Sequence, residues 1–134
     1  MKSFLISAAI LLAPAVAEAD PCEGRLPTRA GQAFAGTVRY VGDGDSLCVG
    51  GGDPSGWIEV RLADFDAPEL SSPEGPRAKA MLRQLASGRR ADCQAVSGRS
   101  GRSVSYDRVI AVCRIGGRSV GELLRADGAA EGGN

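Results

Sequence analysis

The chain contains no histidine. That absence excludes Ser-His-Asp and Cys-His catalysis and every histidine-ligated metal centre. Any acid, base or metal ligand must then be mostly carboxylate. Aromatic residues are scarce, three Phe, two Tyr and one Trp in 134 residues, which leaves little for an aromatic stacking platform. Formal net charge is zero, so no global field draws the chain to a polyanion. The four cysteines form no C-x-x-C pair, and zinc sites usually need one. No apolar run is long enough to span a bilayer.

The short apolar run from Phe4 to Val16 follows Met1-Lys2 and precedes the small-x-small pattern Ala17-Glu18-Ala19. This pattern predicts a secretory signal over 1–19, removed so that the mature chain begins near Asp20 with no membrane segment. Residues 20–33 are expected to form an arm and 34–134 a single domain. Export puts Cys22, Cys48, Cys93 and Cys113 in an oxidising space, secreted or periplasmic, where an even count reads as two disulfides. A domain this small gains from cross-links because its core is limited.

Charge is unevenly spread. Asp43, Asp45, Asp64, Asp66 and Glu69 crowd one stretch, while seven arginines lie between Arg83 and Arg114 against only Asp92 and Asp107. Arginine outnumbers lysine 14 to 2. That bias suits bidentate phosphate recognition, and it equally suits a codon bias.

Alternation predicts strands over 34–41, 46–49, 57–62, 91–96 and 109–115. Phe34, Val38 and Tyr40 are expected on one face of the first, with Thr37, Arg39 and Val41 on the other. Gly42 and Gly44 read as turn glycines between the first two strands. Ala78, Met81, Leu82, Leu85 and Ala86 recur at helical spacing after Pro76, and Gly88 ends that helix. Ser119 and Glu122 form a capping box for a second helix that closes at Gly128. Residues 97–103 read as a mobile loop. The order β-β-β-α-β-β-α predicts an α+β, mainly β fold, a five-stranded barrel with two packed helices.

Three runs carry chemistry. In D-G-D-S (43–46) two acids flank a glycine. An EF-hand would need glycine at its sixth position and an acid at its twelfth; from Asp43 these are Cys48 and Pro54, and from Asp45 the twelfth is Gly56. In R-L-A-D-F-D-A-P-E (61–69), Asp66 and Glu69 flank Ala67-Pro68, and the proline stiffens the kink that carries them. In Y-D-R-V-I-A (106–111), Arg108 stands at the mouth of a strand. Each run alone is ordinary: a solubilised turn, an acidic loop, an exposed arginine.

Together with G-P-R-A (75–78), and in this order, the runs resemble the thermonuclease family, the staphylococcal-nuclease-like domains, over Phe34 to Gly128. The resemblance implies an OB-fold-like barrel and calcium-dependent hydrolysis of DNA or RNA with little sequence preference. It implies Asp45 and Asp66 as Ca2+ carboxylates, with the Ala67 backbone carbonyl as a further ligand. Asp43 becomes an acid beside the metal. Glu69 becomes the general base or positioner of water. Arg61 and Arg108 become the phosphate-gripping arginines and Tyr106 a phosphate contact. The expected partner is nucleic acid as substrate, and the expected state is a monomer. Arg61 and Arg108 come from different strands, so they converge only if the sheet curls.

The chain departs from the family pattern at three points. Asp107 stands where glycine is common. The C-terminal side is short, which predicts a more open cleft and weaker substrate binding. The cysteines are the third. Cys93 and Cys113 lie on strands joined by the 97–103 loop, so the expected pairing is Cys93–Cys113 with Cys22–Cys48, one of three possible. Two other functions compete with a nuclease: a catalytically weak nuclease-fold module that binds nucleic acid or another polyanion, and an exported structural domain stabilised by calcium.

Overall fold

The computed structural model describes residues 4–5, 8–10 and 20–132. The expected cleavage pattern Ala17-Glu18-Ala19 lies outside them. No helix among the described residues is long and apolar enough to cross a membrane.

Among the described residues, seven strands and two α-helices follow one another as β1 (Ala33–Asp43), β2 (Ser46–Gly50), β3 (Ile58–Leu62), α1 (Gly75–Ala86), β4 (Arg90–Ala95), β5 (Val104–Ser105), β6 (Arg108–Ile115), β7 (Arg118–Ser119) and α2 (Val120–Ala126), with a single 3-10 turn over Pro54–Gly56 between β2 and β3. The strand order is β3-β2-β1-β4-β6, and β6 returns to pair with β3. That last pairing is parallel, with Val60 opposite Val109, Arg61 opposite Ile110 and Leu62 opposite Ala111. The result is a closed five-stranded OB-fold-like barrel with two helices packed on it. β5 and β7 are two-residue extensions paired to β6. Closure leaves no free edge among the five barrel strands.

The interior follows from alternation. Val60 and Leu62 of β3 and Val109, Ala111, Cys113 and Ile115 of β6 are buried. Helix α1 turns Ala78, Leu82 and Ala86 inward, and burying a leucine such as Leu82 stabilises the fold by roughly 1.5–3 kcal/mol. Ser119 caps α2 by accepting the Glu122 amide N–H at 3.1 Å. In β1, simple alternation fails. Val38 and Val41 are both buried while Tyr40 is half-buried. The register shifts between Val38 and Tyr40 and again between Val41 and Asp43. Such a bulge inserts one residue and moves the inward set from even to odd positions.

The disulfides are Cys22–Cys48 and Cys93–Cys113. Cys93 and Cys113 are direct partners across the β4–β6 ladder. Cys22–Cys48 pins the arm to β2. Backbone bonds hold the arm elsewhere, from Glu23 N–H to Pro54 O (2.9 Å) and Gly24 N–H to Trp57 O (2.7 Å) before β3, and from Gly31 N–H to Ala95 O (2.7 Å) at the end of β4.

Candidate functional site

The β1–β2 turn is closed by its own acid. Asp43 accepts the Asp45 amide N–H at 3.0 Å and the Ser46 hydroxyl at 2.8 Å on the same oxygen. Neither Gly42 nor Gly44 has a positive φ, so the turn does not need their backbone freedom. Gly44 is required by contact: a Cβ there would sit 2.5 Å from the Ala67 Cβ and 2.8 Å from the Ala78 Cβ. The turn therefore lies directly against the 66–68 kink and α1.

That contact buries Asp45, 7% exposed. Its Oδ2 accepts the Ala67 amide N–H at 2.8 Å and stands 3.3 Å from Arg61 Nη2. The same Nη2 donates to Asp66 Oδ1. Arg61 Nη1 donates to the Leu62 carbonyl (2.6 Å) and the Phe65 carbonyl (2.9 Å). One guanidinium thus folds the 62–66 turn and joins two carboxylates that are distant in sequence. Asp66 also faces Arg99, with Nη2 3.9 Å from Oδ2.

Burial pushes the Asp45 carboxyl up to about 7, and its hydrogen bond with Asp43 pushes the same way, against the pull of Ala67 N–H and Arg61. Burial would raise Asp43 as well. Hydrogen bonds from Asp45 and Ser46, with the charge of Arg108, outweigh it and hold Asp43 below its ordinary value. The two carboxyls are thus driven in opposite directions, Asp45 up and Asp43 down. Asp43 does structural work in the turn as well as carrying charge.

Arg61, Asp66 and Arg108 line one open cleft of about 460 Å³ together with Arg99, Ser97 and Ser105. Arg61 faces Ile110 across the β3–β6 seam, so Arg108 stands two residues further back on the neighbouring strand, diagonal to Arg61 on the wall of the same cleft. Neither the family models nor the curated proteins include a match to this chain.

Two residues of the expected set lie elsewhere. Glu69 is exposed and borders a separate depression of about 370 Å³ with Ser72, Glu74, Glu131 and Gly132. Tyr106 borders a neighbouring groove. Its backbone takes the left-handed conformation, φ 55, whereas Asp107 does not. An acid at position 107 thus needs no glycine-like backbone; the strain falls one residue earlier.

The C-terminal segment does not leave the 66–68 kink open. Gly132 N–H donates to the Asp66 carbonyl at 2.7 Å, and a Cβ on Gly132 would come within 2.7 Å of the Ala67 carbonyl oxygen. Arg125 anchors this segment through Glu131 (2.9 Å) and through the Asp64 carbonyl.

The sequence alone did not single out Arg99 or the acid pair Asp20–Glu59. Burial pushes Glu59 up to about 7, helped by a hydrogen bond with Asp20 and the charges of Asp20 and Asp107, against Arg108. The available signal was the outward row Trp57, Glu59, Arg61 on β3, which places Glu59 next to Arg61.

As a cation site the donor set is thin but of the right kind. Asp45 and Asp66 both direct an oxygen at Arg61 Nη2, so the guanidinium fills the point between them and a hard cation would have to displace it. Among the described residues no three acidic, cysteine or histidine side chains gather at one point. Such a set suits a weakly held, largely hydrated ion.

Proposed function

We propose that the protein is an exported calcium-dependent nuclease of the thermonuclease type, cutting DNA, RNA or both with little sequence preference. The observation that carries this reading is the convergence of Arg61 and Arg108, from opposite sides of the barrel seam, on one cleft beside Asp66 and the buried Asp45. Two disulfides fit an oxidising compartment.

In this reading the two guanidiniums grip the scissile phosphate. Their hydrogen bonds strengthen as negative charge builds on the pentacovalent phosphorus. Asp45, Asp66 and the Ala67 carbonyl would hold Ca2+, which when bound would supply charge stabilisation. Glu69 orients water and takes its proton as the new P–O bond forms and the ester P–O bond breaks. The leaving oxygen takes a proton from solvent. Glu69 reaches the cleft only by crossing the Ala67–Pro68 kink, which the 129–132 segment now flanks.

The alternative, a binding module with little catalysis, is favoured by one observation: Glu69 borders a different depression from the two arginines. The deciding assay follows plasmid and single-stranded DNA over time with calcium or with EGTA. The nuclease reading expects calcium-dependent cleavage that is lost in Glu69→Gln and in Arg61→Ala. Binding without cleavage establishes the module instead, and undiminished cutting in EGTA removes calcium from the mechanism.

A further inference from the structure

Beside the cleft lies a second open groove of about 580 Å³, bordered by Thr28 and Ala30 of the arm and by Ser97, Arg102, Val104 and Tyr106. Cleft and groove share Ser97. The wall between them is the turn 98–102. It is not loose: Gly98 N–H donates to the Arg102 carbonyl at 2.8 Å, and Gly101 N–H to the Gly98 carbonyl at 2.9 Å. A side chain at Gly98 would run into the Ile110 side chain, so the turn lies flat on β6. Its two arginines part there. Arg99 borders the cleft and Arg102 borders the groove.

The chemistry of the groove is that of a nucleotide binder. Arg102 offers paired donors to a phosphate. Thr28 and Ser97 offer hydroxyls. Among the described residues, none that borders the groove is acidic. At its rim Tyr106 is 89% exposed, a flat ring open to a base. Two phosphate-binding arginines on opposite sides of one turn match a chain of repeating phosphates that bends over the turn. A duplex keeps its bases paired and stacked, so they are not free to reach the ring.

We propose that this groove is a second nucleotide subsite, holding the phosphate and base that adjoin the nucleotide in the cleft of a single-stranded substrate. The proposal rests on the nuclease reading of the cleft. It adds residues of the arm and of the 98–102 turn to substrate recognition.

The test is fluorescence anisotropy with the oxidised protein and calcium. The probes are a labelled thymidine phosphorothioate of one nucleotide and a labelled phosphorothioate oligothymidylate of six, which keep their charge and resist cutting. Arg102→Ala should weaken six-nucleotide binding about three- to ten-fold and lower the salt slope by about 0.7. One-nucleotide binding should stay unchanged, and Arg102→Lys should restore part of the loss. If Arg102→Ala leaves six-nucleotide affinity and slope untouched while Arg61→Ala weakens both lengths, the second subsite is refuted and the cleft stands. If the unmodified protein binds neither length, the nuclease reading and the subsite fall together.

Discussion

Tyr106 sits in a left-handed backbone conformation, φ 55, with its ring 89% exposed. So exposed a ring adds little packing, and its removal exposes no core. The backbone is another matter, because the Cβ of an L-residue crowds the following carbonyl there at a cost of roughly 1–2 kcal/mol. Tyr106→Ala keeps that Cβ and should leave stability near the starting value. Tyr106→Gly removes it, and the extra freedom of glycine in the unfolded chain takes back roughly 0.5–1 kcal/mol. The expected net is that the Gly variant exceeds the Ala variant by about 0.5–1 kcal/mol, or about 2–4 °C at the midpoint of a domain this size. Tyr106→Asn should match Gly, since asparagine enters this conformation with little strain and without the entropy term. Urea unfolding of the three oxidised variants measures the differences directly. The same variants should bind single-stranded nucleic acid less well, by about ten-fold for one lost base stack. Equal stability of the Ala, Gly and Asn variants would refute the strain argument.

Stability of the metal-free protein should fall as pH rises from about 4 to about 7. Asp45 and Glu59 are both held up at about 7 in the folded chain, from ordinary values of 3.8 and 4.5, so the folded state binds more protons through that window. Asp45→Asn should flatten the slope of melting temperature against pH, and a rising slope in the unmodified protein would contradict the assignment. Gly44→Ala should destabilise by about 1–3 kcal/mol in denaturant titrations, because the added methyl meets Ala67 and Ala78 at 2.5 and 2.8 Å. Replacing both Cys93 and Cys113 by alanine opens a link with a sequence separation of 20 and should cost about 3 kcal/mol. Chemical unfolding against the oxidised parent checks that value.

Most of the barrel was legible because each strand is short and alternates. Val60 and Leu62 of β3, and the row Val109, Ala111, Cys113 and Ile115, announce an inward face without any partner being known. The Cys93–Cys113 pairing was legible for a related reason, since two strands joined by a loop bring facing positions into register. The bulge in β1 was not. Val41 turns inward only because the ladder with β2 slips, and no local pattern encodes a slip against a distant strand. In the candidate site, Asp45, Arg61, Asp66 and Arg108 were legible from motif order. The seat of Glu69 and Tyr106 was not, because it depends on which side of a kink or turn a side chain leaves. The contact of Gly132 with Asp66 was equally hidden. The segment Ala129-Ala130-Glu131-Gly132 has no periodicity to reveal that it folds back.

The parallel pairing of β3 with β6 has a consequence for timing. Both phosphate-gripping candidates flank that seam, and it joins segments separated by α1, β4 and β5 in the chain. Long-range pairings of this kind form late, since the intervening chain must be ordered first. A chain with β1, β2 and β3 already assembled would hold Asp45 and Arg61 but have nothing opposite them. The cleft therefore exists only once β6 has closed the ring against β3, and its appearance can serve as a clock for folding. The Cys93–Cys113 link ties β4 to the very strand that must complete the ring, so closing that disulfide and closing the cleft are coupled through one strand.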